Sequence, residues 1–310
     1  MKVFITGGTG FVGPHIVKRV LEKGHKVVLL VRPGSEHKCP RHKNLRIASG
    51  DVLDRKGLAL AMEGCDAAIH LVGIIREQKY RGVTFERLHD EATRNAVASA
   101  ERAGIKRFLH MSALGTRAHA ESMYHETKYR GELAVKASRL DWTIFRPSLI
   151  FGPGDKSINL FARIIHTSPM FPMFGRQDAK VRPVFVEDVA RAFATALTRR
   201  DSIGKTYELC GPKEYTYREL FGTIAGLVGR RVAFVPVPHI IGWFISGFLG
   251  WIPLFPITKD QFIMINENNT CTATATKKAA KELGLELSSL EEEFPAYSPY
   301  AKKPEERTFS

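Results

Sequence analysis

Cysteine is scarce in this chain, which has four among its 310 residues: Cys39, Cys65, Cys210 and Cys271. No two of them form a CxxC pair, and their spacing is irregular. Closely spaced cysteine pairs are typical of structural zinc sites and of small disulfide-bonded folds. We therefore expect reduced thiols and no metal site.

Acidic residues are also in the minority, because 32 Asp and Glu face 46 Lys and Arg, for a net charge of +14. The imbalance is strongest in residues 1–50, whose only carboxylate side chains are Glu22 and Glu36. A solvated basic face, an anionic cofactor, an anionic membrane surface or an acidic partner protein would each account for it. No basic stripe with interleaved aromatics accompanies this charge, so we do not expect nucleic acid as a ligand.

A long uninterrupted apolar run is missing as well. Residues 232–258 contain no Lys, Arg, Asp or Glu and are rich in aromatics, but four prolines leave only His239–Ile252 as a helical candidate. That is shorter than the roughly 20 residues that a spanning helix needs. Three interpretations stay open: a cap helix over a cofactor cleft, a helix lying in a membrane interface, and an apolar docking surface for a respiratory-complex or other partner.

The amino terminus leaves no room for a leader, since the first strand begins at once. We expect no signal or transit peptide and a cytoplasmic protein. Peripheral attachment to the inner face of the membrane is an open alternative, given the basic charge and the apolar segment.

A glycine-rich turn follows the first apolar run, residues 3–6. Gly7, Gly10 and Gly13 have the spacing of a chain that leaves a strand, turns tightly and enters a helix beneath a pyrophosphate. The strand before it and the helical stretch after it make this a prediction of a dinucleotide site. The candidate cofactor contacts in this turn are Thr6, Gly7, Gly10, Phe11, Val12 and Gly13.

Strand-like and helix-like segments then alternate as far as Pro147. This alternation predicts a Rossmann-type, doubly wound parallel sheet in an α/β fold, with a smaller C-terminal cap domain. The predicted strands are 3–6, 26–31, 45–48, 67–72, 107–111, 142–146 and 206–209. The predicted helices include 15–23, 56–62, 86–103, 124–138, 160–166, 217–228 and 277–287.

The pattern loosens beyond residue 153, which sets the expected domain boundaries. We assign residues 1–153 to the dinucleotide-binding domain and expect 181–211 to return to it. Residues 154–180 and 212–295 would build the substrate or cap domain. The Pro-rich and charged tail, 296–310, is expected to be extended or disordered.

The end of the second strand bears on cofactor choice. An NAD-selective site usually places Asp or Glu there to accept hydrogen bonds from the adenosine ribose. Arg32 occupies that position, and no carboxylate follows before Glu36. A cation suits a 2′-phosphate, so NADP(H) is favoured over NAD(H); the alternative is that Arg32 is merely solvent-exposed.

Two further strand ends supply candidate cofactor contacts. Asp51 and Val52 follow the third strand, where a carboxylate commonly accepts from the adenine amino group. Leu71, Val72 and Gly73 end the fourth strand, and a glycine there permits close approach to ribose and pyrophosphate.

Three residues form a candidate catalytic group. Ser112 stands at the carboxyl tip of the fifth strand, and Tyr124 and Lys128 open the next helix one turn apart. A nearby ammonium lowers the pKa of a tyrosine from about 10, which suits it to proton transfer. Lys128 could also hold the nicotinamide ribose, and Ser112 would orient a substrate carbonyl or hydroxyl.

At this point the chain resembles a known family, the extended or atypical short-chain dehydrogenases/reductases of the NAD(P)-dependent epimerase/dehydratase branch. The likeness spans roughly residues 1–230 and rests on TGGTGFVG at 6–13, GDVLD at 50–54, SALG at 112–115, YHETK at 124–128, FRPSLIFGPGD at 145–155 and PVFVEDVARA at 183–192. The resemblance implies that Pro147 and Ser148 lie beside the nicotinamide. The Ser112–Tyr124 spacing is shorter than in sugar-nucleotide epimerases, which disfavours a UDP-sugar substrate.

Within that family, four stretches together are similar to bacterial relatives of the nucleotide-binding accessory subunit of respiratory complex I: HLVGIIRE at 70–77, HMSALG at 110–115, RPSLIFGPGD at 146–155 and TYELCGPKEYT at 206–216. That subgroup implies tight NADPH retention without turnover. Two functions therefore stay open. One is an NADP(H)-dependent oxidoreductase with an unknown small-molecule substrate, and the other is a nucleotide-holding assembly or stability subunit of a membrane-associated partner.

Overall fold

One parallel sheet dominates the computed structural model, which describes residues 1–238, 240, 243 and 258–302. Its seven strands are β1 (Lys2–Thr6), β2 (Lys26–Val31), β3 (Leu45–Ser49), β4 (Ala67–His70), β5 (Arg107–Met111), β6 (Asp141–Pro147) and β11 (Lys205–Leu209). They lie in the order β11-β6-β5-β4-β1-β2-β3, and every neighbouring pair is parallel. The predicted doubly wound α/β architecture is confirmed.

Helices connect these strands and continue beyond them. They are α1 (Gly13–Glu22), α2 (Arg55–Met62), α3 (Ala92–Arg102), α4 (Met123–Lys136), α5 (Ile158–Thr167), α6 (Val186–Ala196), α7 (Tyr217–Val228), α8 (Lys259–Ile265), α9 (Ala273–Leu283) and α10 (Leu290–Tyr297). A π-helical segment, Glu86–Glu91, leads directly into α3. Short 3₁₀ turns cover Glu36–Lys38, Lys79–Arg81 and Arg200–Ser202.

Among the described residues of the second half of the chain, six short strands form three small sheets. Strand β7 (Ile150–Phe151) pairs with β10 (Val184–Phe185), β8 (Met170–Met173) with β13 (Ala233–Pro236), and β9 (Lys180–Val181) with β12 (Tyr215–Thr216). The last of these pairs is antiparallel and the other two are parallel.

The chain divides into two compact units, with residues 1–147, 187–209 and 277–285 in the first and residues 148–186, 210–276 and 286–310 in the second. We call them the sheet unit and the second unit. The sequence placed all of 212–295 in the cap, whereas 277–285 belongs to the sheet unit. The reason is a pairing that spacing does not reveal: the Glu282 carboxylate accepts a hydrogen bond from Lys205 Nζ on β11 at 2.8 Å.

The core of the sheet unit explains why its strands read as continuous apolar runs. Val3, Phe4 and Ile5 on β1 are fully buried, because helices cover both faces of a parallel sheet. Small side chains on α3, such as Ala92 and Ala96, bring that helix close to the strands.

The expectation of reduced thiols is wrong for one pair of cysteines. Cys210 and Cys271 form a disulfide in the second unit, while Cys39 and Cys65 are free. The two cysteines are 61 residues apart in sequence, so no local sequence pattern predicts that they pair. They meet because the backbone of Arg182 bonds to both neighbouring segments, through Gly211 and Asn269.

The carboxyl-terminal predictions have mixed outcomes. Helix α10 continues to Tyr297, so the tail begins as helix rather than as extended chain. Most of the 232–258 segment lies outside the described residues, as does 303–310; strand β13 covers 233–236. Among the helices that the structure describes, none is long and apolar enough to cross a membrane.

Candidate nucleotide and catalytic site

The strand order reverses between β1 and β4, and this position defines the site. Thr6 and His70 end these two strands and are paired across the sheet. Ligands of open parallel sheets bind outside the carboxyl ends of strands at such a reversal. The predicted glycine-rich turn leaves β1 at this edge.

Two of the three glycines of this turn, Gly7 and Gly13, are required by backbone contacts. Gly7 has φ of +75°, and a Cβ there would lie 2.9 Å from the Leu71 carbonyl carbon. A Cβ at Gly13 would lie 2.4 Å from Gly8 Cα, so α1 can sit this close only with glycine. Gly10 is exposed, and a Cβ on it would contact only Gly7 O at 3.3 Å.

The amino end of α1 fits an anion. Its N-cap is Val12, which supplies no side-chain acceptor, and no acidic residue stands in the first turn. The first amides of a helix attract anions through their unsatisfied N–H groups and the helix dipole. These residues therefore fit the pyrophosphate of a dinucleotide, with Phe11 half-buried beside His15 in the same turn.

At the neighbouring strand ends, Arg32 follows β2 directly and is exposed. Its guanidinium has no hydrogen bond or ion pair with any other described residue. Asp51 is exposed and uses one carboxylate oxygen to accept the Leu53 N–H at 2.9 Å, while Val52 is buried. The structure thus leaves a free cation and a partly free carboxylate beyond β2 and β3.

The loop after β4 lies against a lysine. Leu71 is buried, the Val72 carbonyl accepts from Lys128 Nζ at 3.4 Å, and a Cβ on Gly73 would lie 2.8 Å from the same nitrogen. Residues 71–73 and Lys128, predicted separately as cofactor contacts, are therefore brought together.

Tyr124 and Lys128 lie one turn apart at the start of α4, whose N-cap Ser122 accepts the His125 N–H. Lys128 is buried, and its Nζ also donates to the Met111 carbonyl at 3.0 Å. Burial lowers the pKa of Lys128 to about 8, against a partial opposing effect of Glu132. The ammonium is held in place by the Met111 carbonyl, which ends β5 next to Ser112, and by the Val72 carbonyl in the loop after β4.

Ser112 is buried and donates to Thr116 Oγ1 at 3.3 Å. Glu132, one turn beyond Lys128 on α4, is a fully buried carboxylate. The Arg146 guanidinium on β6 donates two hydrogen bonds of 2.7 Å to it. Burial by itself would raise the Glu132 pKa, but the hydrogen bonds from Arg146 lower it below its ordinary value.

Glu132 was not predicted as a site residue, although its spacing from Lys128 is a signal for one. Tyr124, Lys128 and Glu132 are spaced by four, which places them along one face of a helix. The Arg146 partner stands in the FRPS stretch, but nothing in the spacing connects it to Glu132.

His89 is a second residue that the sequence did not single out. It lies in the π-helical segment and is buried; its Nδ1 is 3.0 Å from Thr127 Oγ1 and its Nε2 is 3.0 Å from the Ile74 carbonyl. Its ring stands perpendicular to that of Tyr124, with centroids 5.1 Å apart. Burial and the Lys128 charge hold the His89 pKa well below its ordinary value. A neutral histidine thus joins the β4 loop to α4.

His70 plays a similar role beneath the glycine turn. Its Nδ1 is 2.8 Å from Thr6 Oγ1, which fixes the side chain of that predicted contact. Burial, then the Lys128 charge, lowers the pKa of His70 to about 3, so it is neutral.

Pro147 and Ser148 fall in different units. Pro147 ends β6, and its carbonyl accepts the Leu114 N–H at 2.9 Å. Ser148 begins the second unit, where its hydroxyl donates to the carbonyl and side-chain oxygens of Asn269 at 2.9 and 2.6 Å. In the part of the chain that the structure describes, no three His, Cys, Asp or Glu side chains converge as metal ligands.

Replacing Glu132 by Ala should lower the free energy of unfolding by about 3–5 kcal/mol, because it leaves the partly buried Arg146 guanidinium without its carboxylate. Glu86→Ala is the matched control, since it removes an exposed partner of Arg130 and should cost less than about 1 kcal/mol. Urea unfolding of both variants measures the difference. Equal losses would show that the Glu132–Arg146 pair is no stronger than a surface pair.

Comparison with known proteins identifies the family of the chain. Residues 3–210 match the model of the NAD dependent epimerase/dehydratase family. The mitochondrial NADH dehydrogenase [ubiquinone] 1 alpha subcomplex subunit 9 of Arabidopsis thaliana is 30% identical over 281 residues, 86% of this chain and 69% of that protein. The ceramide reductase of Caulobacter vibrioides is 32% identical over 239 residues, 76% and 73% of the two chains.

A solved structure extends the likeness to most of the chain. The crystal structure of gox2253 superposes with a TM-score of 0.74 at 25% identity, covering 95% of this chain and 96% of that one. The glycine turn at the strand reversal and the Tyr-x-x-x-Lys helix both fall within the matched segment. The chain belongs to the NAD dependent epimerase/dehydratase family.

Proposed function

We propose that this protein is an NADP(H)-dependent oxidoreductase that interconverts a carbonyl and an alcohol. The observation that carries the proposal is the buried Lys128 ammonium, held by the carbonyls of Val72 and Met111 one turn from Tyr124. A structural lysine gains little from burial, because desolvation destabilises its charge. A lysine that lowers the pKa of a neighbouring tyrosine, by contrast, has to lie close to it, as Lys128 does one turn from Tyr124.

The roles of the chain's own residues follow from their chemistry. Tyr124 Oη would give a proton to the substrate oxygen during reduction and take it back during oxidation. Lys128, charged below pH of about 8, stabilises the tyrosinate by its field. Ser112 would orient the same substrate oxygen. The bound nucleotide supplies or accepts the hydride.

The preference for NADP(H) rests on Arg32. Its guanidinium is exposed beyond β2 and has no partner within the described residues, so it can pair with a 2′-phosphate without breaking an existing bond. Thr6, Gly7, Gly10, Phe11, Val12 and Gly13 would hold the pyrophosphate side, and Asp51 the adenine.

The proposed class of substrate rests on the name of a relative. The Caulobacter protein is named a ceramide reductase, which favours a carbonyl on an apolar, chain-bearing molecule over a sugar nucleotide. We propose a cytoplasmic protein that meets such a substrate at the inner face of the membrane.

A second candidate function is favoured by the Arabidopsis relative, whose likeness covers 86% of this chain. In this alternative the protein holds NADPH without turning it over, as an assembly or stability subunit of a respiratory complex I-type or other membrane-associated partner. Residues 232–258 would provide the apolar contact to that partner.

Tyr124→Phe should abolish turnover and leave NADPH affinity nearly unchanged, because only the phenolic hydroxyl, the proton-transfer group, is removed. Tyr80→Phe is the control, since Tyr80 is 74% exposed and makes no part of the site. NADPH oxidation with ketones and aldehydes of increasing chain length, together with nucleotide binding by fluorescence, measures both effects. Turnover that survives in Tyr124→Phe would refute its role. A wild-type protein that binds NADPH but oxidises it with none of these carbonyls would support the second candidate.

The nucleotide released from denatured, purified protein should be NADP(H) by mass spectrometry. Arg32→Asp should weaken NADPH binding by about 10- to 100-fold, the range for losing a charge-assisted hydrogen bond, and spare NADH binding. Arg55→Asp, a charge change at an exposed position on α2, serves as the control. Release of NAD(H), or equal effects of the two variants, would overturn the Arg32 argument.

A further inference from the structure

The small parallel sheet of β8 and β13 in the second unit has an apolar face that no described element covers. Met170 and Pro172 on β8 are exposed, while Phe171 and Met173 between and after them are buried. On β13, Ala233 and Val235 are exposed, and the register pairs them with Met170 and Pro172. Residues paired in this way point to the same side of a sheet.

The opposite side of this sheet is firmly packed. The Phe171 ring lies 4.7 Å from that of Phe221 on α7 and 6.1 Å from that of Phe161 on α5. The sheet is therefore anchored through one face, which keeps Met170 and Val235, 58% and 43% exposed, on the other. Beyond β13, Ile240 and Trp243 are also exposed, at 65% and 44%.

Cations border this face, and carboxylates are missing from the segments that form it. Arg230 and Arg231 are exposed just before β13, and Arg230 donates to the His166 carbonyl at the end of α5. The Lys302 side chain packs against Gly229 at the same corner. Residues 156–177 and 220–259 contain no Asp or Glu at all. Lys259 lies 5.4 Å from the Trp243 ring.

From this combination we infer that the β8–β13 face docks on an anionic lipid surface. Exposed apolar side chains enter the boundary between headgroups and acyl chains, and neighbouring cations bind the acidic headgroups. Trp and Lys are side chains that suit the interface, with an apolar body and a polar or charged tip. A protein partner of ordinary surface composition would carry both positive and negative charges. These segments have no carboxylates to pair with its positive charges.

This inference goes beyond the proposed reductase function, because lipid binding requires neither turnover nor a particular nucleotide. It also names lipid, rather than a protein subunit, as what the surface contacts. The two proposals can therefore fail separately, provided that NADPH binding is measured on every variant.

Vesicle flotation of the full-length protein tests the inference, with phosphatidylcholine alone or mixed with phosphatidylglycerol. Wild-type protein should float with the anionic mixture and several-fold less with phosphatidylcholine alone, and added salt should weaken the binding. Met170→Ser/Val235→Ser should reduce the floated fraction several-fold. Arg230→Glu/Arg231→Glu should remove the preference for anionic vesicles. All variants should keep wild-type NADPH affinity and the wild-type circular dichroism spectrum, which together show that both units fold.

A matched control reverses the same number of charges elsewhere. Lys43→Glu/Arg46→Glu changes two exposed cations at β3, in the sheet unit, and should leave flotation unchanged. The inference is overturned if wild-type protein ignores anionic vesicles while it binds NADPH normally. It is equally overturned if the control variant loses as much binding as the β8–β13 variants, or if size-exclusion chromatography shows that Met170→Ser/Val235→Ser splits a dimer.

Discussion

One buried charge organises the candidate site: the Lys128 ammonium, held between the carbonyls of Val72 and Met111. These carbonyls end or follow β4 and β5, so the position of Lys128 depends on the parallel sheet and its register. Its burial lowers the pKa to about 8 and is unfavourable to folding wherever the amine is charged. The rest of the site is arranged around that unfavourable charge.

The groups near Lys128 divide into neutral and compensating ones. His70 and His89 stay neutral in the same buried region, because burial lowers the pKa of each imidazole and the Lys128 charge lowers it further. Glu132, one turn further along α4, raises the Lys128 pKa in part and is itself held by Arg146. One ion pair, Glu132–Arg146, therefore supplies the carboxylate that partly offsets the Lys128 charge and ties α4 to β6.

The sequence predicted the elements of the sheet well, because strands buried on both faces read as apolar runs and turns carry glycine. Arg107–Met111 was predicted with both of its ends. The glycine turn was equally readable, since Gly7 and Gly13 are required by backbone contacts that leave no alternative residue. What the sequence did not show depends on long-range contacts: the Cys210–Cys271 disulfide, the return of 277–285 to the sheet unit, and the joining of Ile74 to α4 by His89.

The most direct test of this account is the titration of the Lys128 side chain, followed by ¹⁵N NMR of lysine Nζ and assigned with Lys128→Met. We expect the Lys128 signal to titrate with a pKa of about 8, below the ordinary lysine value of about 10.4. A Lys128 signal that titrates at that ordinary value would contradict the account. It would mean that the ammonium is solvated, and that neither Tyr124 nor the two strand-end carbonyls are organised around a buried charge.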